Sequence, residues 1–295
     1  MGLTLVSLVR EHRRVDTILR SRPTVEGAGV HLFRAFGPRE IKVVDPFLLL
    51  DDFHSDDPRD YLAGFPWHPH RGIETVTYMI RGVVEHGDSI GNKGSIRSGD
   101  VQWMTAGNGI LHQEMPQRYD GMFQGFQLWV NLPASKKMMD PRYRDVKGAQ
   151  IPVAKISEGV EAKIIAGDVA GVKGPVRDLV VKAEYLDVLM EPGKVLEHAT
   201  ADGSTQLAYL YEGDALLDPE DENPASQGTL AVFGDGRSIR IRSGASGARL
   251  LLVSGKPLRE PIAWGGPIVM NTEEELEQAF EELRQGTFIR KGGSR

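Results

Sequence analysis

Two short motifs whose first histidines stand 44 positions apart, His68-Pro69-His70-Arg71-Gly72 and His112-Gln113-Glu114-Met115-Pro116, bring together the residue types that hold a metal ion. Side chains at i and i+2 of a strand point to one face. Each motif therefore presents two candidate ligands side by side, and together they offer three imidazoles and a carboxylate: His68, His70, His112 and Glu114. Glu74 competes for the carboxylate position, because a strand running on from His68 and His70 keeps it on their face unless Pro69 and Gly72 bend or bulge that strand. On the residues alone the choice between Glu114 and Glu74 stays open. Such a ligand set suits a first-row divalent ion, among Fe, Mn, Co, Ni, Cu and Zn. Zinc closed in by four protein ligands would be structural, whereas an octahedral ion keeps two positions for water, substrate or dioxygen.

A His-x-His pair alone is a weak signal, since eight histidines in 295 residues give roughly 0.2 such pairs by chance. The surrounding glycines strengthen it. Gly64 precedes the first pair, Gly82 follows the next apolar run, and Gly99, Gly107 and Gly109 lead into His112. Glycines there permit the tight turns that bring distant strands together. His12, His31, His54 and His198 have no companion at ligand spacing and read as structural.

Short apolar runs between residues 28 and 133, such as Val43–Leu50 and Thr75–Ile80, are punctuated by Gly87-Asp88, Gly91-Asn92, Gly99-Asp100 and Gly107-Asn108-Gly109. This is the pattern of strands joined by hairpins, with no room for crossover helices. The expected fold is all-β, an antiparallel sandwich or barrel. An internal repeat sharpens it. Tyr78–Gly82 lies over Tyr209–Gly213 at an offset of 131, and Gly99–Met104 lies over Gly228–Phe233 at 129. The agreement of the two offsets points to a duplicated β-barrel. The copied positions of the four ligands are Ala199, Ala201, Ile241 and Ser243, so only the first barrel should bind metal, one ion per chain. Residues 1–21 read as a peripheral N-terminal extension, 22–145 as the metal-binding barrel, and 146–295 as the degenerate barrel with a terminal helix. That helix is signalled by the Thr272/Glu275 capping box, the apolar spacing of Leu276, Ala279, Phe280 and Leu283, and Gly286 at its end. It should pack one face on a barrel.

Composition narrows the function classes. A net charge of −6 and a pI near 5.8 provide no basic footprint, which disfavours direct nucleic-acid binding but leaves room for a protein partner. The absence of cysteine removes disulfides, thiolate ligands and a cysteine nucleophile. No run approaches the roughly 18 apolar residues of a membrane span. Val6 spoils a myristoylation motif at Gly2, and Glu11 and Asp16 argue against a transit peptide. A monomer in the cytoplasm is expected, or in the nucleus of a eukaryote.

The two motifs resemble those of the cupin superfamily, with departures. Seven residues rather than six separate Glu74 from Gly82, Thr105 stands near the usual proline, and His112 comes two positions late. With these departures the chain resembles the pirin family, through Asp45–Phe53, His68–Gly72, Gln102–Gly107, Met115-Pro116, Pro257–Pro261 and Val269–Glu275. The resemblance covers nearly everything after about residue 22. It implies two tandem cupin-type barrels and one iron in the first, Fe(II) held by His68, His70, His112 and Glu114. Glu74 then falls behind the ligands, where it would orient a histidine or Arg71, and His86 matches a residue common in the family. Some pirins are similar in activity to quercetinases, which cleave flavonols with dioxygen. In that case Glu114 or a nearby carboxylate would take the proton of the flavonol 3-hydroxyl. Phe53, Trp67 and Trp103 adjoin the motifs and are candidates to line an apolar cavity for such an aromatic substrate, although barrels bury aromatics anyway. Eukaryotic pirins act as iron-dependent transcriptional cofactors, so the alternative is a redox-sensing interaction protein without turnover.

Overall fold

Alternating burial along the strands sorts their side chains into two interiors. In the first barrel, one sheet runs in the order Arg142–Val146, Val101–Thr105, Ile73–Arg81, Phe123–Asn131, Phe47–Ser55, Val30–Phe36, Arg22–Glu26. The facing sheet runs Phe65–His70, Ile110–Pro116, Val83–Asp88, Lys93–Arg97. The second barrel is built on a nine-stranded sheet whose central members are Thr229–Phe233, Thr205–Leu216, Ser238–Gly255, Glu184–Met190 and Val160–Ala166. Neighbouring strands pair antiparallel throughout. The all-β double barrel expected from the sequence is therefore found, here in a computed structural model that describes residues 11–218 and 220–290. The reading of Gly2 and Val6 concerns residues outside that range.

The repeat is visible in the strand register. Asp52, Phe126, Tyr78 and Val101 stand side by side across the first sheet, and Asp187, Leu251, Tyr209 and Leu230 occupy the matching row of the second. These rows face one another. The Tyr78 hydroxyl donates to Asp187 Oδ2 at 2.7 Å and the Tyr209 hydroxyl donates to Asp52 Oδ2 at 2.8 Å, a reciprocal exchange like that of a two-fold dimer contact. Val76, Trp103, Phe126, Leu128, Leu230, Leu251 and Val253 pack into one core between the barrels.

Segments near both limits of the described residues cross over. The strand Val15–Arg20, inside the segment assigned by sequence to a peripheral extension, is an edge strand of the second barrel and pairs with Thr229–Phe233. It covers backbone groups that would otherwise be left open. The preceding Arg13 is buried and donates to Thr200 and to the carbonyls of Ala201, Ser204 and Gly234. At the other end, the hairpin Ala263–Gly265 and Ile268–Met270 places Val269 against Leu48, Ile73 and Met104 of the first barrel. The helix Glu273–Arg284 begins at the expected capping box, with Thr272 Oγ1 accepting from the Glu275 amide at 3.2 Å. It lays Leu276 and Ala279 on that hairpin rather than on a barrel sheet. Among the described residues no helix is long and apolar enough to cross a membrane.

Candidate metal centre

The strand Phe65–His70 pairs with Ile110–Pro116, which places His68 opposite His112 and His70 opposite Ile110. Gly72 then turns the chain into the next strand at a φ of 79°, where a Cβ would sit 1.9 Å from the carbonyl oxygen of Val269, so no side chain fits. Lys137 holds this joint, donating to the carbonyls of Gly72 at 2.9 Å and Val269 at 3.0 Å and to the Asn131 side chain at 2.6 Å.

Three histidines converge. Potential ligand atoms of His68, His70 and His112 lie within 4.8 Å of one another, and His70 and His112 are buried. The Nδ1 of His68 donates to the Pro66 carbonyl at 2.8 Å, and the Nδ1 of His70 donates to the Pro267 carbonyl at 2.9 Å. These bonds fix the tautomer that leaves each Nε2 with a free lone pair. The two Nε2 atoms are 3.1 Å apart, and the buried Nε2 of His112 has no hydrogen-bond partner. Burial lowers the pKa of all three, that of His70 to about 3, because a proton there would also be repelled by one on His68. They are neutral imidazoles at physiological pH. Unprotonated nitrogens gathered around an orphaned one fit a divalent transition-metal ion.

Glu114 lies outside that group of three but on the same strand face as His112, and it lines the same cavity as His68 and His70. It is buried, which pushes its pKa up, and it accepts a hydrogen bond from Thr77 Oγ1 at 2.7 Å. The Gln127 amide is also 2.7 Å from that hydroxyl. A hydroxyl has one proton to give, so donation to Glu114 requires Gln127 to turn its NH2 toward Thr77.

The other sequence candidates disperse. Glu74 is fully buried on the opposite face of its strand from Thr75 and Thr77, where it accepts from Thr105 Oγ1 at 2.6 Å. Its expected service to a histidine or to Arg71 is not what the structure has, because the turn at Gly72 resets the strand parity counted from His70. Arg71 instead donates to the carbonyls of Asn108 and Phe288 and pairs with Glu282 at 2.7 Å. Phe53 and Trp67 line the cavity, but Trp103 belongs to the core between the barrels. His86 is buried against the Tyr143 hydroxyl, opposite Glu114 in the strand register. His12 bonds Ser238, His54 bonds Asp52 and His198 bonds Glu184, all away from the three-histidine cluster.

The cavity holds about 690 Å³, within the range of small-molecule sites. Its walls include Phe53, Phe65, Phe123, Trp129 and Trp264. Trp129 meets the His70 ring edge-on at 5.0 Å and stacks with Trp264 at 6.1 Å. Trp264 and the Pro267 carbonyl come from the terminal hairpin, about 200 residues from the histidines in sequence, and no motif spacing announces them. Trp129 and Gln127 were within reach of the same i, i+2 parity applied to Phe123–Asn131.

Comparison with known proteins agrees with this architecture. The family model Pirin matches residues 29–130, and the model for the Pirin C-terminal cupin domain matches residues 185–289. A pirin-like protein of Caulobacter vibrioides is 44% identical over 277 residues, covering 94% of this chain and 99% of its own. Human pirin is 39% identical over 275 residues and 92% of each chain. A crystal structure of quercetin 2,3-dioxygenase from Acinetobacter baumannii is 32% identical, with a TM-score of 0.87 over 94% of this chain and 98% of that one.

Proposed function

This chain belongs to the pirin family, and from that premise we propose that it is a mononuclear non-haem Fe(II) dioxygenase of the quercetinase type, opening the heterocyclic ring of a flavonol with dioxygen. The observation that carries the reading is the convergence of three neutral imidazoles, two of them buried, with His68 and His70 at the wall of an aromatic cavity of about 690 Å³. His68, His70 and His112 would hold the ion, with Glu114 as the fourth ligand. Bound there, the ion would supply open coordination positions and Lewis acidity toward the flavonol hydroxyl and dioxygen.

The chain's own groups have definite tasks in this reaction. Pro66 and Pro267 carbonyls keep His68 and His70 in the tautomer that binds through Nε2. Glu114, or a carboxylate near it in the cavity wall, accepts the proton of the flavonol 3-hydroxyl. Thr77 holds the Glu114 carboxylate by its hydroxyl. The indoles of Trp129 and Trp264 and the ring of Phe53 offer stacking surfaces to a flat ligand and exclude water from it.

Anaerobic purification, metal analysis and oxygen uptake with quercetin test the proposal. Close to one iron per chain, oxygen consumption and release of carbon monoxide are expected. Bound iron with no oxygen uptake would instead favour the redox-sensing interaction protein.

A further inference from the structure

One charged group set in the cavity wall is unused by the proposed chemistry. Arg34 donates from Nε and from one terminal nitrogen to the two carboxylate oxygens of Asp51, each at 2.8 Å. Its other terminal nitrogen lies 2.9 Å from Glu26 Oε1. All three residues line the cavity. Every guanidinium nitrogen thus faces a carboxylate, and with both carboxylates ionised the trio holds one negative charge in excess, although burial pushes the Asp51 carboxyl up against the pull of Arg34. No other arginine and no lysine is among the described residues that line the cavity. A carboxylate, sulfate or phosphate on an entering molecule would meet no uncommitted side-chain cation there, and the trio would repel it, opposing the attraction of an ion held at the histidines. A phenolic hydroxyl, in contrast, finds carboxylate oxygens that accept its proton in a charge-assisted hydrogen bond.

We propose that the Arg34–Asp51–Glu26 trio is a selectivity element that admits uncharged polyhydroxylated aromatics and turns away aromatic acids and the anionic conjugates of flavonols. The ring system named here rests on the flavonol reading, whereas the charge preference does not. Asp51 is the more buried of the two carboxylates and holds two of the three guanidinium nitrogens. With Asp51 neutral, Arg34 keeps its charge and gains free donors, so the preference for uncharged ligands should weaken.

The test compares two fluorescent probes with the same ring skeleton, neutral N-phenyl-1-naphthylamine and 8-anilinonaphthalene-1-sulfonate, on metal-loaded protein under argon at low salt. In Asp51→Asn the affinity ratio of neutral to sulfonated probe should fall about tenfold, chiefly because the sulfonate binds better. Glu26→Gln alters a more exposed carboxylate, 41% accessible, and guards against a folding defect in the first variant; there a fall of about threefold is expected. An unchanged ratio in both variants overturns the proposal. Quercetin turnover is measured alongside. Turnover with an unmoved probe ratio removes only the selectivity element, and a shifted ratio without turnover keeps it while the dioxygenase reading falls.

Discussion

The two barrels share one register and differ in what fills it. Across the inner face of the first sheet, Asp51, Gln127, Thr77 and Gln102 stand in a row. The same row of the second barrel reads Leu186, Leu252, Ala208 and Ala231. The first interior keeps its polar row beside a cavity, with Glu114, His68 and His70 lining it from the facing sheet. The second is packed with Ile164, Leu186, Leu210, Ile239, Ile241 and Leu252. Duplication thus yields one barrel whose interior gathers three histidines beside a cavity and one whose interior is packed with apolar side chains. The second barrel is fastened to the first by the Tyr78–Asp187 and Tyr209–Asp52 bonds.

The sharpest way to break this contrast is to shorten a buried side chain in each barrel. His112→Ala should remove nearly all bound metal and abolish turnover while the fold survives, as read by metal analysis and circular dichroism. Ile241→Ala should do the reverse, costing about 2–5 kcal/mol in denaturant unfolding with the metal content unchanged. If Ile241→Ala loses metal as completely as His112→Ala, the two interiors are not independent.

A smaller effect is expected at the bond that holds Glu114. Thr77→Val keeps the shape and removes the donor, and should lower metal affinity or kcat by about tenfold. Next come the reciprocal tyrosines. Without Tyr209, Asp52 retains His54, whereas without Tyr78, Asp187 retains Tyr211 and Arg249. Tyr209→Phe should therefore cost about 3 kcal/mol and Tyr78→Phe about 1.5, measured by urea unfolding. The opposite order would contradict the assigned partners.

Acid also distinguishes the barrels, through a slope rather than a single step. In the metal-free protein His70 has a folded pKa of about 3 against an ordinary value of 6.5. Between those values the unfolded chain binds a proton that the folded chain refuses, so stability falls as pH drops below 6.5, by up to about 1.4 kcal/mol per pH unit for that histidine. His70→Ala should flatten the slope of unfolding free energy against pH, and Ile241→Ala should leave it alone.

Much of this was legible in the sequence because it is local. The i, i+2 spacing of the histidines survives folding unchanged, and the offsets of 131 and 129 reappear as the paired positions Tyr78–Val101 and Tyr209–Leu230. The capping box at Thr272 needs only four consecutive residues to be read. Parity failed at Glu74 because one left-handed glycine, Gly72, lies between it and His70 and starts a new strand. Trp103 could be read either way, as core or as cavity lining, for a related reason: both faces of its strand are buried, one on the cavity side and one between the barrels, and an apolar run does not say which is which. The strand Val15–Arg20 and the terminal hairpin were hidden more deeply, since their partners lie about 200 residues away and nothing in their own composition names them.

The central claim is a single metal ion in the first barrel, and anomalous diffraction at the iron edge from crystals of the iron-loaded protein tests it most directly. One peak per chain is predicted, at about 2.1 Å from the Nε2 atoms of His68, His70 and His112 and at bonding distance from a Glu114 oxygen. A peak coordinated by Glu74, a second peak inside the other barrel, or no peak at the three histidines would contradict the account.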